Sequence, residues 1–155
     1  VQKGLSKNEF DTNLLLTASQ FSYELHDSKQ AENYLLKAKD VAIDDEDVLM
    51  RLTNLYLEEK RYEDVVALSR DNIDSILTKW NIAKAYQALE ADKKALNLYD
   101  ELATDLSDNP EFLQDYAYIL REFGQKERAH QVAERYLQLV PDDVNMVGFL
   151  NENEF

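Results

Sequence analysis

The chain has 155 residues, 45% of them hydrophobic and 31% charged, a composition that suits one domain or one uninterrupted stack and argues against extended disorder. Its 31 acidic against 17 basic residues give a formal net charge of −14, which repels a polyphosphate backbone and an anionic lipid surface alike, so neither nucleic acid nor membrane is an expected partner. The absence of cysteine excludes a disulfide framework and thiolate metal ligation, and with 3 glycines and 2 prolines the local preference is helical almost throughout.

Ser6 and Glu9 form a capping-box pattern, after which Phe10, Leu14, Leu15, Ala18, Phe21, Ser22 and Leu25 follow helical spacing; they predict a first helix over about 7–25 with those residues inward. His26-Asp27-Ser28 turns the chain, Asp27 or Ser28 caps the next helix, and Ala31, Leu35, Ala38 and Val41 make its inner stripe. Asp44 to Asp47 open a third helix, where carboxylates suit the positive end of the macrodipole, and Val48, Leu49, Leu52, Leu55 and Tyr56 supply its buried face. Its partner carries Tyr62, Val65, Val66, Leu68 and Ile73.

A third pair is expected over Ile76–Leu89 and Ala91–Leu106, bearing Trp80, Ala83 and Tyr86, then Ala95, Leu98, Tyr99 and Leu102. The fourth begins at Asn109-Pro110, the proline suiting a first helical turn, and Gly124 marks the bend between its two helices. Phe112, Leu113, Tyr116, Ala117 and Leu120 precede that bend and Ala129, Val132, Ala133, Tyr136 and Leu137 follow it. Pro141 stops the array, and Val144, Val147 and Leu150 predict a short capping helix over about 142–152.

Ala31, Val65, Ala95 and Ala129 recur at intervals of 34, 30 and 34 residues, and twelve positions before each stands another small residue: Ser19, Thr53, Ala83 and Ala117. Nine before stand Ser22, Tyr56, Tyr86 and Leu120; seven after stand Ala38, Asn72, Leu102 and Tyr136. Small and large columns alternate as an interlocking stack of hairpins demands. The pattern resembles the tetratricopeptide repeat (TPR), best in Leu113, Tyr116-Ala117, Leu120, Gly124, Ala129, Tyr136 and Pro141. The likeness covers about residues 12–141.

That resemblance implies an all-α superhelical stack of about four hairpins, one repeat domain over 7–152 with units at about 7–42, 46–74, 75–106 and 109–140. It also implies a concave face lined by the first helix of each unit, carrying Leu16, Gln20 and Tyr23; Met50, Asn54 and Leu57; Trp80, Lys84 and Gln87; Gln114, Tyr118 and Arg121. Tyr23, Met50, Asn54, Trp80, Lys84, Gln87, Tyr118 and Arg121 are the expected partner-binding set, with a basic or amphipathic protein or peptide segment suiting the acidic chain. Trp80 has two readings, an exposed anchor for a ligand or a ring packed between hairpins. Some family members clamp a chaperone's carboxyl-terminal tail with paired Lys, Asn and Arg; only Asn54, Asn81 and Lys84 come near that set, and Glu111 and Asp115 oppose it in the last unit.

No catalysis and no cofactor are expected. His26 and His130 stand in different repeats, and no phosphate loop, HExxH or GxSxG motif occurs. The acidic pairs lack the alternating oxygen ligands and central glycine of a calcium loop. The working reading is a cytoplasmic, bacterial-type interaction scaffold. The alternatives are a peptide-sensing regulatory domain of a larger protein and a self-association module joined through the open face of the first hairpin. The chain opens on Val1 rather than methionine, the start expected of a processed or excised fragment.

Overall fold

The computed structural model describes residues 7–70 and 73–152, apart from the side chains of Asn8 and Glu9. The capping box at Ser6 and Glu9 and the column position Asn72 lie outside the described residues. Within them the chain forms nine α-helices: α1 (Lys7–Glu24), α2 (Ser28–Val41), α3 (Glu46–Glu58), α4 (Tyr62–Leu68), α5 (Ile76–Ala88), α6 (Asp92–Leu102), α7 (Pro110–Glu122), α8 (Lys126–Leu139) and α9 (Val144–Glu152). The chain divides into two compact units, 1–89 and 90–155, whose boundary falls inside the expected third repeat.

In the first unit α1 packs on α2 and α3 on α4, while α5 packs against both α3 and α4. Starts are set by side-chain caps: Asp27 accepts from the amide of Gln30 at 3.1 Å, Asp45 from Val48 at 3.1 Å and Ser75 from Thr78 at 3.3 Å. The Asp44 to Asp47 cluster thus acts as a helix start, with Asp45 as the cap and Glu46 and Asp47 in the first turn. The small columns meet as expected, since Ser19, Ala31, Thr53, Val65 and Ala83 are all at most 2% exposed. Helix α4 has only 7 residues, against 14 for α2 and 11 for α6, which accounts for the shortened interval between Val65 and Ala95. Ile73 consequently lies beyond the end of α4.

The second unit packs α6 on α7, α7 on α8 and α8 on α9. Asn109 caps α7 by accepting from the amide of Phe112 at 3.1 Å, with Pro110 inside the first turn. Its core is aromatic: Tyr99 stacks on Tyr116 with centroids 6.0 Å apart, and Phe112 lies 5.6 Å from the first and 5.5 Å from the second. Phe112 and Tyr99 are fully buried, each contributing on the order of 2 kcal/mol of transfer free energy. Helix α6 ends at Leu102 rather than Leu106, and residues 103–108 run as turns.

Four of the bends between consecutive helices contain one residue in the left-handed region: His26 (φ 60°), Lys60 (φ 58°), Glu90 (φ 58°) and Gly124 (φ 72°). Each stands five residues before its anchor, Ala31, Val65, Ala95 or Ala129. In three of them the amide after this residue reaches back over the helix end, Asp27 to the Ser22 carbonyl at 2.9 Å, Arg61 to Tyr56 at 2.8 Å and Gln125 to Leu120 at 2.9 Å.

Three helices depart from the expected burial. In α1 the expected inward residues Phe10, Leu14, Phe21 and Leu25 are 53%, 54%, 63% and 79% exposed, while Thr12, Leu16, Ser19 and Ser22 are buried. Leu16, expected on the ligand face, is therefore core. In α9, Met146 and Phe149 are buried and Val144 and Val147 point outward, a rotation of the expected covering face. Val41, expected on the inner stripe of α2, also lies at the surface.

Candidate functional site

Helices α1 and α3 each present a polar row to a cleft of about 190 Å³ in the first unit, lined by Ser19, Gln20, Tyr23, Leu35, Arg51, Asn54, Leu55 and Glu58 among others. Spacing puts Arg51, Asn54 and Glu58 one helical turn apart on α3, facing Gln20 and Tyr23 on α1. The Tyr23 hydroxyl donates to the Glu58 carboxylate, 2.8 Å from each oxygen, and Arg51 Nη1 donates to Gln20 Oε1 at 3.2 Å. That hydrogen bond, together with the charge of Glu58, pushes the Tyr23 hydroxyl above the ordinary tyrosine range.

The row continues onto α5. Asn81 Nδ2 donates to Asn54 Oδ1 at 2.7 Å and to Thr53 Oγ1 at 3.0 Å. This fixes which way the exposed Asn54 amide points, with its carbonyl engaged inward and its NH2 group left as a donor. Within the cleft Arg51 and Glu58 are the charged side chains, one of each sign; Glu24 and Asp47 line an adjoining pocket that Arg51 also borders, and that neighbouring surface is acidic on balance.

Trp80 is only 5% exposed, and the Lys84 ammonium lies 4.0 Å from its ring centroid. Of its two sequence readings, the geometry matches the packed ring, with Lys84 lying over it as a cation on an aromatic face. Met50, Lys84 and Gln87 are partly exposed on α3 and α5, and Tyr23 and Asn54 are exposed.

In the second unit, Tyr118 and Arg121 are engaged by α9. The Phe149 ring meets Tyr118 edge-on at 5.0 Å, the Arg121 guanidinium lies 4.4 Å from the Phe149 centroid and 5.0 Å from that of Tyr118, and Arg121 Nη1 is 3.6 Å from Glu152. A surface expected to be open is thus partly covered by the terminal helix.

Among the described residues no group of His, Cys, Asp and Glu could hold a metal ion, and no helix is long and apolar enough to cross a membrane. His26 sits in the first bend, and His130 Nε2 lies 3.4 Å from Glu134 on α8.

Residues 77–143 match the sequence pattern of YpiA-like, C-terminal tetratricopeptide repeats. Over that stretch, a little under half of its length, the chain is similar to tetratricopeptide repeats. Solved structures share the fold: a tetratricopeptide repeat protein from Parabacteroides merdae has a TM-score of 0.74 at 18% identity over 88% of this chain and 56% of its own. This chain therefore spans little more than half of that protein. A MamA fragment from Desulfovibrio magneticus RS-1 reaches 0.79 at 12% identity, covering 92% of this chain and 83% of its own. YrrB, described as a TPR protein with an unusual peptide-binding site, also reaches 0.79 at 12%, over 90% and 74%. No curated protein matches the sequence.

In the TPR register, the sequence reading placed Gln20, Tyr23 and Asn54 on the ligand-facing row, and they line the cleft. It missed Arg51 and Glu58 because it took Met50, Asn54 and Leu57 as the face of α3. The cleft side is rotated by one residue, and the signal that could have found it is the polar run Arg51, Asn54, Glu58 at helical spacing.

Proposed function

We propose that the protein is a non-catalytic interaction scaffold whose first-helix row in unit 1–89 holds an extended, basic segment of a partner protein. The observation that carries this reading is the cleft in which Gln20, Tyr23, Arg51, Asn54 and Glu58 present donors and acceptors from two packed helices. Rigid helices hold these groups in place before a ligand arrives, which reduces the ordering cost of binding. The Asn54 amide suits a peptide carbonyl, and Glu58 and Glu24 suit Lys or Arg side chains. Met50, Lys84 and Gln87 extend the contact along α3 and α5, and Trp80 serves beneath Lys84 as support.

The test is selection of a random peptide library on the immobilised chain, followed by titration of the selected peptides against Asn54→Ala and Glu58→Lys variants confirmed as helical. Lysine- or arginine-rich peptides weakened about tenfold or more by Glu58→Lys are expected. Acidic peptides, or affinities that both variants leave unchanged, would overturn the assignment.

A further inference from the structure

Helix α1 is inverted in character. The face it buries carries Thr12, Leu16, Ser19 and Ser22, whereas the face it leaves open carries Phe10, Leu14 and Phe21, continued by Leu25 in the turn just past its end. At 3.6 residues per turn the four exposed side chains fall within roughly 60° of arc along about 22 Å of helix. The small Thr17 and Ala18 lie midway along this stripe, one on each margin; Lys7 stands in line with it at the N-terminal end, Asp11 flanks one side and Asn13 and Glu24 the other. Single exposed apolar residues are ordinary, but a continuous stripe marks an interaction surface.

The spacing says what covers it. Intervals of 4, 7 and 4 residues read the same in both directions, so an antiparallel copy brings Phe10 opposite Leu25 and Leu14 opposite Phe21. Each ring then meets a branched aliphatic chain, and the small centre at Thr17 and Ala18 lets the helices approach closely. We propose that α1 is a self-docking face through which two copies of the chain pair about a twofold axis near Thr17. The exposed portions of the four side chains sum to roughly 450 Å² per copy, hence about 900 Å² for the pair. With the flanking residues added, this reaches the ~1,000 Å² lower limit of a specific interface, so the dimer is a weak one. Two chains of net charge −14 repel at long range, and screening that repulsion strengthens the pairing.

Sedimentation velocity of the 155-residue chain across roughly 1 to 500 micromolar, at low and high salt, reads the association directly. A monomer–dimer equilibrium that tightens with salt is expected, and the Leu14→Glu/Phe21→Glu double variant, both sites being exposed, weakens it by about tenfold or more while remaining helical. Because the chain has no cysteine, Thr17→Cys places a single thiol beside the axis. Under mild oxidation it forms a covalent dimer much faster than Gln131→Cys, an exposed control on α8. A monomer at every concentration, association unaffected by the double variant, or pairing that salt weakens would overturn the proposal, the last pointing to charge pairing in place of the apolar stripe.

Discussion

Lys60 holds φ at 58° in the bend between α3 and α4, a conformation that costs a residue with a Cβ about 1–2 kcal/mol. The fold imposes it because the next amide, that of Arg61, must reach the Tyr56 carbonyl to close the end of α3. Glycine removes the steric cost but adds about 0.4–1 kcal/mol of unfolded-state entropy. Lys60→Gly is therefore expected to stabilise the protein by roughly 0.5–1 kcal/mol in urea denaturation, the difference between those terms. At the matching position of the last repeat, Gly124→Ala should act in the opposite sense. A Cβ there meets nothing within 4 Å, so its cost is backbone strain alone. A destabilised Lys60→Gly or a stabilised Gly124→Ala would show that the bends are set by something other than this torsion. The sequence displayed the turn at His26-Asp27-Ser28 and the bend at Gly124; the torsions at Lys60 and Glu90 were hidden because side chains at a strained torsion leave no compositional mark.

At the level of elements, the small columns are where the repeat register is most constrained. Ala117 on α7 is fully buried, and Ala117→Leu should overpack its surroundings and cost about 1–3 kcal/mol, read as a lowered denaturation midpoint with unchanged helicity at low denaturant. A neutral substitution would contradict the register. The columns were legible from spacing because close helix approach requires small residues wherever it occurs. The buried faces of α3 and α7 were legible too, each having a single apolar stripe. Helix α1 was not, because it carries two faces and hydrophobicity alone selects the larger side chains, which here point to solvent. The cleft was half legible for a related reason. Arg51 and Glu58 acquire their meaning from Gln20 and Tyr23, 31 and 35 residues away, and pairings across helices are fixed by packing. The same holds for the network in which Arg61 donates to Glu32 at 2.6 Å while Tyr56 donates to that carboxylate at 3.2 Å.

For the whole molecule the governing quantity is charge. At pH 7 the net −14 opposes compaction, so added salt should raise the melting temperature and mild acidification toward the isoelectric point near 4.5 should do the same. Specific groups set the limits of that gain. Arg61 bonded to Glu32 holds its carboxyl below the ordinary value of 4.5, and the Tyr136 hydroxyl with the amides of Met146 and Asn145 holds Asp143 below 3.8. A carboxyl with a depressed folded-state pKa stabilises above its unfolded value and loses that contribution as pH falls through the folded one. Stability is therefore expected to decline below about pH 4.5, where the net charge also turns positive and repulsion returns. On the alkaline side, burial followed by the neighbouring Glu32 raises the Tyr56 hydroxyl from 10 to about 12, so its contribution is complete below pH 10 and is lost as pH climbs toward 12. The melting temperature should peak between pH 4.5 and 7, with the peak broadening toward neutrality as salt screens the repulsion. A maximum above pH 7, or melting lowered by salt at neutral pH, would mean that specific ion pairs outweigh the net charge in this fold.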